Sequence, residues 1–211
     1  MNAERKLYVY GASGHGKVVA EILRALGLDF EGFIDDGLPV GTPVLDRTVM
    51  GPHQFLQSRG NTCAVALGIG ANATRERLAA RVRDLGATLF TAVHPSAIIS
   101  PSARLGSGTV VMAGAVVNAE AIVGQGVILN TRSVTEHECR VGDFAHLCPG
   151  STLGGQAQFG RRSQLGLNAS VIHLGVVGDD VTVGAGACVV RPVDSGQTVV
   201  GVPARPIVKR S

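Results

Sequence analysis

From Ile99 to Asp194 the chain divides into sixteen consecutive blocks of six residues with none inserted or lost. The first residue of each block is apolar (Ile99, Leu105, Val111, Val117 and onward to Val189), with Thr135 as the one exception. The fifth residue is nearly always small, as at Ala103, Ala115, Ser133, Ala145, Ser151 and Ala187, and glycine is the commonest second residue, as at Gly106, Gly124, Gly142 and Gly166. A period of six is neither the face of a helix nor a simple alternating strand. It suits a parallel β-helix in which each block is a short strand plus a corner and three blocks close a triangular coil. The block-opening residue points inward, and the fifth sits in the cramped corner. Each coil buries its apolar side only against its neighbours, so stability belongs to the stack.

Composition agrees with thin coils: aromatic residues make up 4% of the chain, tryptophan is absent and there are 29 glycines. A net charge of +3 with no basic cluster gives no support for nucleic-acid binding. No apolar run reaches membrane-spanning length, and the polar start from Met1 to Lys6 leads straight into a strand with no export signal. The expected location is the cytoplasm, with no membrane association. Cys63, Cys139, Cys148 and Cys188 lack metal-type spacing and read as reduced, small buried residues.

The stretch before the coils has a different grammar. Lys6 to Tyr10 is a strand, Gly11-Ala12-Ser13-Gly14-His15-Gly16 a glycine-rich turn, and Lys17 to Leu26 a helix with Val18, Val19, Ile22, Leu23 and Leu26 at helical spacing. Phe30 to Ile34 is a second strand that ends at Asp35-Asp36. This order opens a Rossmann-like, nucleotide-binding βαβ unit. Glycines let the backbone approach a phosphate, the helix N-terminus offers it free N–H donors, and an acidic side chain after the second strand can accept from a ribose or base. The spacing is Gly-x-x-Gly-x-Gly, not the dinucleotide order, and the unit is long enough for a mononucleotide only. Ala64 to Gly68 is a third strand, Asn72 to Leu85 a helix with Arg75, Glu76, Arg77, Arg81, Arg83 and Asp84 outward, and Thr88 to Val93 a further strand. The expected organisation is a small Rossmann-like nucleotide-binding domain over 1–95, a β-helix over 96–194, and a tail over 195–211 that covers the open end of the stack and carries Lys209 and Arg210.

One block departs from the pattern: Thr135-Glu136-His137-Glu138-Cys139-Arg140 opens on a polar residue and sets a histidine between two carboxylates. Histidine is suited to take a proton near neutral pH, and an adjacent carboxylate orients it and raises its basicity. His146 belongs on another face, and His173, two coils after His137, stacks with it. A zinc hydratase would need three histidine ligands, and the third is missing at Gly178.

The repeat resembles the left-handed β-helix of hexapeptide-repeat acyltransferases, and the whole chain is similar to their sugar O/N-acetyltransferase family of NeuD/PglD type. The resemblance rests on Tyr10 to Lys17, Asp35-Asp36, His94 to Ala97, Gly126 to Thr131, Glu136 to Cys139 and Gly201 to Arg205. It implies a left-handed coil, against the usual handedness of parallel crossovers, and a homotrimer with acetyl-CoA bound between the coils of adjacent subunits. It implies His137 as general base with Glu138 raising its basicity. His146 and the backbone at Leu167 and Ala185 would contact acetyl-CoA, and Ser13, Gly14, His15, Asp35, Asp36 and Gly68 would hold the nucleotide part of the sugar substrate. The expected reaction is acetyl transfer from acetyl-CoA to the amino group of a UDP- or GDP-linked amino-deoxy sugar, without a metal. O-acetylation of sialic acid or another sugar uses the same base and stays open, as does a non-catalytic trimer that binds sugar nucleotides.

Overall fold

The computed structural model describes residues 5–207; Lys209 and Arg210 of the basic tail lie outside them. The chain forms two compact units, Met1–Pro95 and Ser96–Ser211.

The first unit is built on β1 (Lys6–Tyr10), α1 (Gly14–Ala25), β2 (Gly32–Ile34), the hairpin strands β3 (Pro43–Val44) and β4 (Arg47–Gly51), β5 (Cys63–Leu67), α2 (Asn72–Asp84) and β6 (Thr88–Leu89). The sheet order is β3-β4-β2-β1-β5-β6, parallel from β4 to β6, with β3 antiparallel to β4. β1 lies at the centre, with Tyr8, Val9 and Tyr10 buried, as expected of a strand covered on both faces. The hairpin Pro43–Gly51 has no counterpart among the expected elements. Helix α1 starts three residues earlier than the apolar spacing indicates, inside the glycine-rich turn, and Val18 and Leu26 are exposed while Val19, Ala20, Ile22 and Leu23 carry the contact.

Arg75 corrects the expectation that the charged residues of α2 all point outward. It is fully buried, and its guanidinium donates to the carbonyls of Ile69 (3.1 Å) and Gly70 (2.9 Å) and to Asn72 Oδ1 (2.9 Å). Helical spacing of charge cannot reveal this, because the two carbonyl acceptors belong to the loop that precedes the helix. Burial lowers its pKa to about 9, which leaves it cationic at neutral pH.

The second unit is the β-helix. Its two-residue strands stack as three parallel ladders, and each partner lies eighteen residues on. Face I runs from Ile98–Ile99 through Val116, Val134, Thr152 and Ser170 to Cys188–Val189. Face II runs from Arg104–Leu105 through Ile122, Arg140 and Gln158 to Val176–Val177. Face III includes Val110–Val111, Ile128, His146, Gln164 and Thr182–Val183. The second residue of each strand points inward: Val117, Leu129, Val141, Leu147, Leu153 and Leu165 are buried. The fold class is thus an α/β unit followed by the stacked parallel sheets of a left-handed β-helix.

Two details refine the periodic reading. Thr135 does not interrupt the coil. It is fully buried and sits in register between Val117 and Leu153, its hydroxyl turned into the stack. The face III ladder also runs on past Asp194: Thr198–Val200 pairs with Thr182–Val183, and Arg205–Pro206 folds back antiparallel upon it.

Candidate functional site

In the second unit, Glu136, His137 and Glu138 form the corner that joins face I to face II. His137 Nδ1 lies 3.0 Å from Glu138 Oε2, and both side chains are about half exposed. An ionised carboxylate can only accept, so Nδ1 carries a proton, and in the neutral ring the lone pair is on Nε2. Glu138 also accepts from Gln156 Nε2 at 2.9 Å, and these bonds, that from Gln156 first and that from His137 second, hold its carboxyl below the usual carboxylate range. On the other side Glu136 Oε2 accepts from Asn118 Nδ2 (2.9 Å) and from the His137 backbone N–H (3.4 Å).

Glycine at position 155 makes room for the ring. A Cβ there would lie 2.5 Å from His137 Nε2 and 2.7 Å from Cε1. Asn118, Gly155 and Gln156 were missed when the corner was read by itself, yet each lies eighteen residues from Glu136, His137 or Glu138. The register that sets the coil was signal enough to find them. His173 is exposed in the same corner column, with Gly155 between it and His137.

His146, Leu167 and Ala185 lie elsewhere on the coil. His146 stands on face III, and its Nε2 accepts from Asn130 Nδ2 at 3.0 Å. Leu167 and Ala185 occupy the corner from face III to face I on successive rungs, where Gly186 N–H donates to the Leu167 carbonyl at 2.8 Å. The corner with His137 and the corner with Leu167 and Ala185 therefore bound the two edges of face I. One protomer does not bring them together.

In the first unit the glycine-rich turn is held by close backbone contacts. A Cβ at Gly16 would lie 1.9 Å from the Gly11 carbonyl oxygen, and one at Gly68 would lie 2.7 Å from Gly16 Cα. Gly14 faces open space and Ser13 is exposed, its side chain making no cap bond at the start of α1. The first backbone N–H groups of the helix are thus presented at an open end. His15 is held neutral: burial and then the Arg75 charge lower its pKa to about 4.

The two acidic residues serve the protein first. Asp35 Oδ2 accepts from the Ala12 N–H (2.9 Å), and its other oxygen accepts from Gly37 and Leu38. It thereby pins the turn to the end of β2. Asp36 accepts from the Tyr10 hydroxyl (2.8 Å) and the His53 N–H (2.9 Å), with Arg81 at 3.5 Å. Partial burial opposes its ionisation, but bonds from the His53 backbone, Tyr10 and the His53 ring outweigh this and lower its pKa. Burial, and then Asp36, pushes the Tyr10 hydroxyl up. His53 and Arg81 thus join this cluster, and no sequence spacing announces them. Ser13, Gly14, His15 and Gly68 gather at one end of the sheet with Asp35 tied to them.

Among the described residues no three of His, Cys, Asp and Glu are grouped to hold a metal ion, and no helix is long and apolar enough to cross a membrane.

A coil built of six-residue blocks, with a histidine–glutamate pair on one corner, has the architecture of the hexapeptide-repeat acyltransferases. Residues 6–82 match the family described as the PglD N-terminal domain. The acetyltransferase domain of PglB from Neisseria gonorrhoeae FA1090, solved with acetyl coenzyme A, is 40% identical, covers 97% of this chain and all of its own, and superposes with a TM-score of 0.91. PerB from Caulobacter crescentus, solved with CoA and GDP-perosamine, is 39% identical over 96% of this chain and 97% of its own, with a TM-score of 0.92. GDP-perosamine N-acetyltransferase of Escherichia coli O157:H7 is 27% identical over 96% of both chains. The chain belongs to the hexapeptide-repeat sugar acetyltransferase family.

Proposed function

We propose that this acetyltransferase moves the acetyl group of acetyl-CoA to the amino group of a nucleotide-linked amino sugar, with His137 as general base. PerB, solved with CoA and GDP-perosamine, and the GDP-perosamine N-acetyltransferase of Escherichia coli O157:H7 support the substrate class. The observation that carries the role of His137 is its bond to Glu138, which orients the ring so that in the neutral form Nε2 is the nitrogen that accepts a proton.

His137 Nε2 takes a proton from the amine as nitrogen forms its bond to the thioester carbonyl carbon. The tetrahedral intermediate then expels the coenzyme A thiolate, which receives the proton from His137. Glu138 stays ionised and compensates the imidazolium. A positioned base contributes about 10²–10⁴-fold, and holding the two substrates together contributes the remainder.

The domain over 1–95 is assigned to the nucleotide, through Ser13, Gly14, His15, Asp35, Asp36 and Gly68. The coils over 96–194 are assigned to acetyl transfer, and 195–211 to capping the stack. Acetyl-CoA is assigned to His146, Leu167 and Ala185. The outward residues of face I (Ile98, Val116, Val134, Thr152, Ser170 and Cys188) include no charge. Three copies that turn this face to a common axis would set the His137 corner of one against the Leu167 and Ala185 corner of the next. This supports a homotrimer with sites between subunits. A cytoplasmic location is carried over from the sequence reading.

The test is a panel of UDP- and GDP-amino sugars and free sialic acid, incubated with acetyl-CoA and analysed by mass spectrometry. An N-acetylated nucleotide sugar is expected. His137→Ala should lower kcat by roughly 10²-fold or more with little change in acetyl-CoA affinity. Wild-type turnover in that variant would remove the assignment, and an O-acetylated product would replace the amine by a hydroxyl.

A further inference from the structure

Beside Glu138 a groove of about 620 Å³ opens on the face II side of the corner, lined by Ser102, Arg104, Glu120, Ile122 and Arg140 as well as Glu138 itself. Two parallel columns build it. Ser102, Glu120 and Glu138 occupy the same corner position on successive rungs, and Glu120 and Glu138 share a left-handed backbone (φ 59° and 58°). Two residues further along each rung stand Arg104, Ile122 and Arg140, which pair in register on face II. One wall is therefore acidic and the other cationic, and Ile122, 39% exposed, lies between the arginines.

Neither arginine is committed elsewhere. Among the described residues the side chains of Arg104 and Arg140 take part in no hydrogen bond or ion pair, whereas Arg162 on the same coil is paired with Asp180 at 2.5 Å. Two rungs separate Arg104 from Arg140, roughly 9–10 Å along the ladder, and flexible side chains of this length can converge over Ile122.

We propose that this groove seats the sugar-phosphate end of the acceptor, with Arg104 and Arg140 bearing on its phosphates. The argument is charge complementarity. A nucleotide-linked amino sugar carries an amine at one end of its ring and a diphosphate at the other. The groove offers the Glu138 carboxylate, next in sequence to His137, at the corner for the amine, an apolar floor for the ring and two guanidiniums for the phosphates. Guanidinium suits phosphate because its fork matches two oxygens at once. The inference rests on the proposed function, and it adds specificity: an amino sugar without a phosphate lacks the groups that the arginines take.

The experiment is steady-state kinetics on the full chain with Arg104→Ala, Arg140→Ala and the double variant, varying the nucleotide amino sugar and acetyl-CoA in turn. Both positions are exposed, so folding should be intact. Each single change should raise KM for the nucleotide sugar about tenfold, a charge-assisted bond discounted for exposure. KM for acetyl-CoA and kcat should stay within about twofold. Arg140→Lys should recover part of the loss, and added salt should narrow the gap between wild type and variant. A rise in KM for acetyl-CoA alone would give the arginines to the phosphates of the coenzyme and overturn the proposal. Unchanged KM values for both substrates would make them solvated surface residues, leaving the proposed function standing. Failure of the wild type to acetylate any nucleotide amino sugar would sink both.

Discussion

Replacing Gly155 by alanine separates catalytic geometry from stability. The new Cβ would stand 2.5 Å from His137 Nε2, 2.7 Å from Cε1 and 3.2 Å from Cδ2, whereas ordinary contact begins near 3.4 Å. The imidazole must therefore retreat by about 1 Å, and a displacement of that size from the reacting position costs about 10²-fold. This corresponds to about 2.7 kcal/mol of transition-state stabilisation. The movement itself is cheap, because the His137 side chain is 55% exposed and can swing toward solvent. The backbone at Gly155 lies outside the left-handed region that would penalise alanine, so the substitution should leave stability unchanged or raise it by about 0.4–1 kcal/mol. The assay is kcat with both substrates saturating, alongside KM for acetyl-CoA and a thermal melt. The expected result is kcat down about a hundredfold with Tm equal to or above wild type. Wild-type kcat in Gly155→Ala would refute the placement of the ring. A loss of activity that tracked a fall in Tm would refute the separation of the two effects.

Three other expectations can be checked by thermal melts and binding. His15 has a folded-state pKa of about 4 against an ordinary 6.5, so the folded state binds fewer protons than the unfolded one. Its contribution is fully present above pH 6.5 and is lost as pH falls toward 4, by at most about 3 kcal/mol. His15→Gln should flatten that part of the stability profile, and an unaltered profile would mean that His15 protonates freely in the fold. Gly16→Ala drives a Cβ to 1.9 Å from a backbone oxygen and should destabilise the first unit severely, whereas Gly14→Ala meets nothing within 4 Å and should fold normally but bind nucleotide sugar more weakly. Equal stability of the two variants would contradict the packing described. Thr135 Oγ1 is buried with no hydrogen-bond partner among the described residues, so Thr135→Val should raise stability by about 1 kcal/mol; a fall would show that the hydroxyl is bonded.

The coil was legible in the sequence because its register is rigid. From Ile98 to Val189 each ladder partner lies eighteen residues away, so one apolar period fixes strand, face and corner together; only at the end of the stack does the spacing fall to sixteen, where Thr182 pairs with Thr198. The first unit was legible in outline only. Strand, turn, helix and strand follow from local chemistry, but the start of α1 inside the glycine run and the hairpin Pro43–Gly51 depend on packing. Arg75 was misread for a related reason. Its carbonyl partners at Ile69 and Gly70 belong to a loop whose path is set by the β5–α2 crossing, and no residue spacing encodes that path.

The corner with His137 was singled out on a signal that the fold reinterprets. Thr135 marked the block as broken, yet Thr135 is in register and buried like its neighbours. What distinguishes the block is its outward chemistry, and that chemistry is assembled by stacking. Asn118 reaches Glu136, Gln156 reaches Glu138, and Gly155 gives His137 its space. Each is one rung away, so the cluster could be found by adding or subtracting eighteen. The same arithmetic puts Leu167 and Ala185 at the far edge of face I from His137. A periodic coil thus fixes within one chain which groups can cooperate and which cannot, and a reaction that needs both edges of face I needs more than one copy of the coil.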